Sequence, residues 1–287
     1  MSIAKDLGLV CRMIKIEHSV FALPFAYMGA FLAARGWPGL YNMVVLTVAM
    51  VAVRSFAMAF NRYADLDIDR ENPRTQGRAL VTGELSTRFI LVFIAGTAVV
   101  FVAACAMMNT LCLMLSPVAL FMAASYSFCK RFTYWCHFVL GSVLGLAPVA
   151  GWICVTPSIS LPSVLLFCGV VLWVAGFDLL YACQDADFDR EHGLYSIPAR
   201  LGVAAALGVS SLSHAVAAAF FLLAGWAASL GGIYFTVAAL MGVTLMAEHL
   251  LVKPDDLSRV NVAFFTMNGI ISVLLFAATV VDLAVLG

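Results

Sequence analysis

Apolar residues occupy the chain in nine long blocks, at about 19–36, 40–62, 89–108, 110–129, 136–155, 162–182, 203–226, 230–252 and 261–286. Each block approaches the roughly 20 residues that a helix needs to cross a bilayer. The breaks between them carry turn chemistry: Gly36-Trp37-Pro38, Thr156-Pro157, Gly231-Gly232 and Lys253-Pro254. The division near Asn109 is the weakest of these breaks. The pattern predicts an all-α integral membrane protein, nine helices bundled around a central cavity, as one domain over residues 1–287. Ahead of the first block, Ile3, Leu7, Val10 and Ile14 recur at helical spacing, with Lys5, Arg12 and Lys15 on other faces. That spacing suits either a short helix lying on the membrane surface or a frayed terminus. The mixed composition of this segment does not fit a cleavable signal peptide.

Composition supports lipid as the solvent. The chain is 63% hydrophobic and 11% charged, against about 25% charged in soluble domains. A net charge of zero predicts no nucleic-acid partner and no polybasic face. The eight cysteines are scattered without a C-x-x-C pair, and they read as buried free thiols.

The basic residues test the helix count. With the N-terminus in the cytoplasm, fourteen of sixteen fall in inside segments, as the positive-inside rule requires. Arg35 falls outside, and Arg54 lies within the second block. The two long connections, about 63–88 and 183–202, are then both cytoplasmic. Long loops in a compact bundle are usually functional.

Those two loops open with the same string. Asp65-Leu-Asp67-Ile-Asp69-Arg70-Glu71 returns 120 residues later as Asp185-Ala-Asp187-Phe-Asp189-Arg190-Glu191. Together the copies hold eight of the sixteen acidic residues. A repeat of this kind predicts two related halves. Helical residues four apart share a face. Asn61, Asp65 and Asp69 therefore make one stripe, and Tyr181, Asp185 and Asp189 make another, with Asp178 one turn earlier. Asp67 and Asp187 fall off the stripes. Facing stripes would gather carboxylates that repel unless cations neutralise them. Oxygen ligands without nearby His or Cys favour Mg²⁺, which shares its remaining positions with water and phosphate. Arg74, Arg78, Lys130 and Arg131 lie on the same side and suit an anion bound to the metal ions. Solvated acidic helix ends and a cation or proton pathway are the alternatives at this point.

These motifs resemble the UbiA superfamily of intramembrane prenyltransferases. The family's N-x-x-x-D-x-x-x-D is matched by Asn61, Asp65 and Asp69, and its second D-x-x-x-D by Asp185 and Asp189. Arg74-Thr-Gln-Gly-Arg78-Ala-Leu-Val-Thr-Gly83 is similar to its basic stretch, and Tyr126-Ser-Phe-Cys-Lys130-Arg131-Phe-Thr133 to its Y-x-x-x-K-R-x-T segment. Asp178-Leu-Leu-Tyr181-Ala-Cys-Gln-Asp185 with Gly193-Leu-Tyr-Ser196 resembles the quinone-pathway branch. Where relatives read R-P-L, this chain reads Arg78-Ala79-Leu80, keeping the arginine and losing the proline.

The resemblance implies transfer of a polyprenyl group from its diphosphate to an aromatic acid, 4-hydroxybenzoate or a dihydroxynaphthoate, in ubiquinone or menaquinone formation. It places the enzyme in the bacterial inner membrane with its site toward the cytoplasm. Asn61, Asp65, Asp69, Asp185 and Asp189 would hold Mg²⁺. Lys130, Arg74, Arg78 and Arg131 would bind diphosphate, and Tyr126 or Tyr181 would offer a π-face to the allylic cation. Arg54, about two turns from Asn61 on roughly the same face, is a candidate for the acceptor's carboxylate or for the diphosphate. Asp178 or Asp187 is a candidate proton acceptor. Haem or chlorophyll prenylation, phospholipid head-group transfer and cation-coupled transport are the competing activities. The five histidines show no ligand spacing and read as packing or surface groups. Gly141-x-x-x-Gly145 predicts a close helix contact.

Overall fold

The computed structural model describes residues 8–10, 13, 19–257, 260 and 268–286. The helices among them are α1 Ser19–Ala34, α2 Leu40–Ala64, α3 Leu66–Glu71, α4 Thr87–Met108, α5 Thr110–Cys129, α6 Cys136–Val155, α7 Leu161–Ala182, α8 Ala186–Glu191, α9 Ile197–Leu201, α10 Val203–Ala227, α11 Gly232–Glu248 and α12 Asn268–Leu286. No strand occurs among the described residues. Gly8–Val10 are helical, and Leu9, Val10 and Met13 are buried. The rest of the expected N-terminal helix lies outside the described residues, as does the start of the block 261–286.

Six of the described helical segments are long and apolar enough to cross a membrane: α2, α4, α5, α6, α7 with its continuation to Glu191, and α10. Three shorter apolar helices, Ala22–Ala34, Gly232–Glu248 and Gly269–Val285, occupy the first and the last two expected blocks. Their polar ends are capped locally. Ser86 accepts from the Phe89 amide at the start of α4. Ser160 and Ser163 form a capping box at the start of α7. Asn109 ends α4 in an extended conformation, and its side chain accepts from the Cys112 amide at 3.0 Å. The weakest sequence break is therefore a true helix boundary, made by an asparagine cap. Large apolar side chains stand exposed along α4 and α5, including Val92, Val99, Met114 and Phe121. Such faces suit lipid.

The described chain divides into two compact units. One holds Val44–Phe128 with the described N-terminal residues up to Ser19, and the other holds Val20–Met43 with the described residues from Cys129 onward. In the first, Leu9, Val10, Met13, Ala59, Leu80, Leu85 and Ile90 share a core. It packs the loop after the first acidic motif under α2 and α4.

In the second unit α7 packs against both α6 and α10, and α11 against α10 and α12. The contacts are close because glycines face backbone. A Cβ at Gly141 would overlap the Val171 carbonyl, and one at Gly145 would crowd Val171 and Phe167. The expected G-x-x-x-G contact is thus between α6 and α7. Gly29 meets the Pro148 carbonyl and Gly151 the Ala26 carbonyl in the same manner, joining α1 to α6. Asp282 of α12 is buried and accepts from the amides of Gly231, at 2.7 Å, and Tyr234, at 3.1 Å. A carboxylate from another helix thereby caps the N-terminus of α11, where orphan amides and the helix dipole favour negative charge. The seven described cysteines are free thiols.

Candidate active site

The first acidic motif begins where α2 ends. Asp65 has φ −96° and ψ 6°, and α3 starts directly after it. The amides of Asp65 and Asp69 still reach the carbonyls four residues back, at 3.0 and 2.8 Å. The break therefore leaves the helical register intact, and Asn61, Asp65 and Asp69 stay on one stripe. Asp65 and Asp69 are buried, at 3% and 4% exposure. Asp67 points to solvent and pairs with Arg70 at 3.1 Å.

Neighbouring polar groups are arranged around this stripe. The Asn61 amide donates to Asp65 Oδ2 at 3.0 Å and lies 3.4 Å from the Ser127 hydroxyl. Arg62 donates to Asn61 Oδ1 at 3.1 Å. Arg78 donates to Asp69 Oδ2 in a short ion pair. Thr75 donates its hydroxyl to the Asp69 carbonyl at 3.0 Å, which ties the following loop to the motif. Arg62, Asp69 and Arg78 line a cavity of about 200 Å³ whose other walls include Leu9, Met13, Leu80 and Glu84. Asp65, Asp69 and Tyr126 also lie within electrostatic reach of Arg62.

The second motif repeats the construction. After α7 a 3₁₀ turn spans Cys183–Asp185, Asp185 takes φ −105° and ψ 6°, and α8 follows. Both first aspartates thus share the bridge conformation, which is sparsely populated and recurs at functional residues. Asp187 is exposed and pairs with Arg190 at 2.9 Å, as Asp67 does with Arg70. Asp189 accepts from the Ser196 hydroxyl at 2.8 Å, and its carbonyl accepts from the Leu194 amide at 2.8 Å. The Lys130 carbonyl accepts from the Tyr195 amide at 2.7 Å. The Lys130 charge acts on Asp189 with the sign opposite to that of Asp185. Asp185 and Asp189 are half-buried, less enclosed than their counterparts.

The remaining expected residues separate into four groups. Arg78 meets its motif directly. Lys130, Tyr126, Tyr181 and Arg54 are half-buried, whereas Arg74 and Arg131 are exposed. Asp178 Oδ2 lies 2.7 Å from His137 Nδ1, and the Ile197 amide donates to His137 Nε2 at 3.4 Å. An Nε2 that accepts has no proton, so Nδ1 carries it and donates to Asp178.

Three features of the site lie beyond the sequence pattern. A break falls at Asp65 but leaves Asn61, Asp65 and Asp69 on one stripe, whereas a 3₁₀ turn ends at Asp185. Arg62, one of the basic residues counted on the inside, is buried at 8% exposure, while Arg54 is only half-buried. The histidines show no ligand spacing along the sequence, yet His214 and His249 converge with Glu248 in the fold. The contacts of Ser127 and His137 have no sequence signal, since a lone hydroxyl or imidazole in an apolar run carries no spacing.

Comparison with known proteins gives concordant results. The family model for UbiA prenyltransferases matches residues 22–270. The 4-hydroxybenzoate octaprenyltransferase of Nitrosospira multiformis is 31% identical over 254 residues, covering 88% of this chain and 87% of that protein. The protein of the same name from Aromatoleum aromaticum is 29% identical over 287 residues, covering 98% and 96%. Among solved structures, the apo form of a UbiA homolog from Aeropyrum pernix superposes with a TM-score of 0.84 at 38% identity, covering 93% of this chain and 98% of that one. A UbiA homolog from Archaeoglobus fulgidus, bound to GPP and Mg²⁺, shares the fold with a TM-score of 0.70 at 19% identity, covering 96% and 99%.

Proposed function

Since the chain belongs to the UbiA prenyltransferase family, we propose that it transfers a polyprenyl group from polyprenyl diphosphate to an aromatic acid, with 4-hydroxybenzoate the leading acceptor. One observation carries this reading. Two copies of one acidic motif, on different helices, share a nearly identical backbone conformation at the first aspartate and the same exposed Asp–Arg pair, and in each the first and third aspartates are less exposed than the second. Curated relatives named as 4-hydroxybenzoate octaprenyltransferases support the substrate class. The proposal extends to nine membrane-crossing helices with the N-terminus in the cytoplasm and both motifs on that side of a bacterial inner membrane.

The donor set fits Mg²⁺. Asp65 and Asp69 are buried carboxylates, Asn61 adds an amide oxygen, and Asp185 and Asp189 supply the second set, all of them hard oxygen ligands. When bound, the ions supply Lewis-acid neutralisation of the diphosphate. The chain's own residues do the rest. Arg78, held against Asp69, and Lys130 bring positive charge to the leaving diphosphate. Arg74 and Arg131, exposed on the same loops, assist its capture from solution. Loss of diphosphate leaves an allylic cation, which Tyr126 or Tyr181 stabilises through its ring face. Water must be excluded while that cation lasts. Arg54 pairs with the carboxylate of the acceptor. Asp178, oriented by His137, takes the proton released when the aromatic ring is substituted.

The test is an assay of membranes containing the protein, with Mg²⁺, a radiolabelled prenyl diphosphate and either 4-hydroxybenzoate or a dihydroxynaphthoate. A labelled lipid-soluble aromatic product is expected with 4-hydroxybenzoate. Product with the naphthoate alone moves the enzyme to the menaquinone branch. Failure with every aromatic acid overturns the proposal.

A further inference from the structure

His214 lies in the middle of α10, fully buried, and Glu248 and His249 end α11. His214 Nδ1 sits 3.0 Å from His249 Nε2 and 3.0 Å from Glu248 Oε1. The ligand atoms of all three residues lie within 4.8 Å of one another. This cluster belongs wholly to the second unit and plays no part in the prenyl-transfer proposal.

Three features show that the cluster is built. The first is the tautomer. His214 Nε2 lies 3.2 Å from the Trp173 carbonyl. A carbonyl only accepts, so Nε2 carries the proton and Nδ1 presents a lone pair toward Glu248 and His249. A backbone carbonyl that fixes a histidine tautomer in this way is the usual outer support of a metal-bound imidazole. The second is Glu248. It is fully buried, and neither carboxylate oxygen accepts a hydrogen bond among the described residues. A buried carboxylate without donors, facing an imidazole lone pair, is strongly unfavourable unless a cation lies between them. The third is space. A Cβ at Gly176 would overlap the His214 ring, so only glycine on α7 admits the imidazole here. The Ser210 hydroxyl, donating to the Gly176 carbonyl at 2.6 Å, holds α10 against α7 at this level.

We infer that His214, Glu248 and His249 bind a divalent transition-metal ion of the zinc type. Two imidazoles and one carboxylate form a common zinc ligand set that leaves a fourth position for water. Imidazole donors separate the site chemically from an oxygen-only Mg²⁺ site. The ion would bridge α10 to the end of α11, replacing a lone-pair and carboxylate conflict with three coordinate bonds. Its role is to hold these helices together.

The full-length protein, purified in detergent and stripped with a chelator, is dialysed against Zn²⁺ with excess Mg²⁺ to fill carboxylate-only sites. One Zn²⁺ per chain is expected to remain, and the thermal unfolding midpoint is expected to rise with it. His249→Gln keeps the half-buried side chain's bulk and removes its ligand; it should weaken Zn²⁺ retention by at least about 10-fold, on the scale of lost metal-site partners. Glu248→Gln, which keeps shape and removes charge, should do the same. No retained Zn²⁺ in the wild-type protein overturns the inference and leaves a shared proton as the link between these groups. Equal retention by wild type and both variants overturns it too, because the zinc would then sit on cysteines or on the aspartate motifs.

Discussion

Asp65 and Asp185 stand 120 residues apart and adopt nearly the same backbone conformation, φ −96° and ψ 6° against φ −105° and ψ 6°. Each directly precedes a six-residue helix carrying the rest of its motif. The match in conformation makes the repeat structural as well as textual. It also sorts the acids of each copy into inward and outward sets.

That sorting predicts a sharp contrast among aspartates. Asp65→Ala and Asp185→Ala are each expected to lower turnover by about 100-fold or more, since even outer partners of metal ligands cost 10–100-fold. Asp67→Ala and Asp187→Ala remove only exposed ion pairs, worth at most about 1 kcal/mol. They should leave kcat within a factor of about 3 of wild type. Rates of prenyl transfer in membranes, corrected for protein level, check this. Similar losses at inward and outward positions would discard the assignment.

Arg78 joins the loop after the first motif to Asp69. Arg78→Ala should raise the KM for prenyl diphosphate by about 10-fold, ~1.4 kcal/mol. Arg78→Lys should recover only part of the loss, because an ammonium cannot present the guanidinium's fork. A KM series against prenyl diphosphate decides it, and an unchanged KM in the alanine variant would detach Arg78 from the substrate.

Arg54 distinguishes the two substrates. Arg54→Ala is expected to raise the acceptor KM and leave the prenyl diphosphate KM near wild type. The reverse pattern would move Arg54 to the diphosphate. Both constants can be read from one steady-state matrix in which the two substrates are varied together.

Gly141 tests the packing. Gly141→Val puts a branched side chain against the Val171 carbonyl of α7, and overpacking of this kind costs about 1–3 kcal/mol. The thermal midpoint in detergent should fall. A substitution at Gly208, where a Cβ meets open space, should leave it unchanged.

Asp282 tests the tertiary cap of α11. Asp282→Ala leaves the Gly231 and Tyr234 amides without their acceptor and should destabilise the protein by about 1–3 kcal/mol. Asp282→Asn retains an acceptor oxygen and should recover part of that. Thermal unfolding of the purified variants is the measurement.

Much of this architecture follows from sequence by itself. Long apolar blocks have few alternatives to helix in lipid, where every backbone amide must be satisfied within its own segment. Local caps then set the ends, as Asn109 and Ser160 do. The stripe of Asn61, Asp65 and Asp69 was legible because helical period is a local property. Only the tertiary structure decided which polar groups meet. Arg62 ends α2 and Arg54 lies within it, yet Arg62 is the one buried beside the motif while Arg54 is half-buried. His137 finds Asp178 across α6 and α7, 41 residues away. His214 finds His249 and Glu248 across α10 and α11, because glycine at 176 leaves room for its ring. Periodicity determines which face of a helix is polar. The approach of neighbouring helices, set by where small residues let backbones touch, determines what that face encounters.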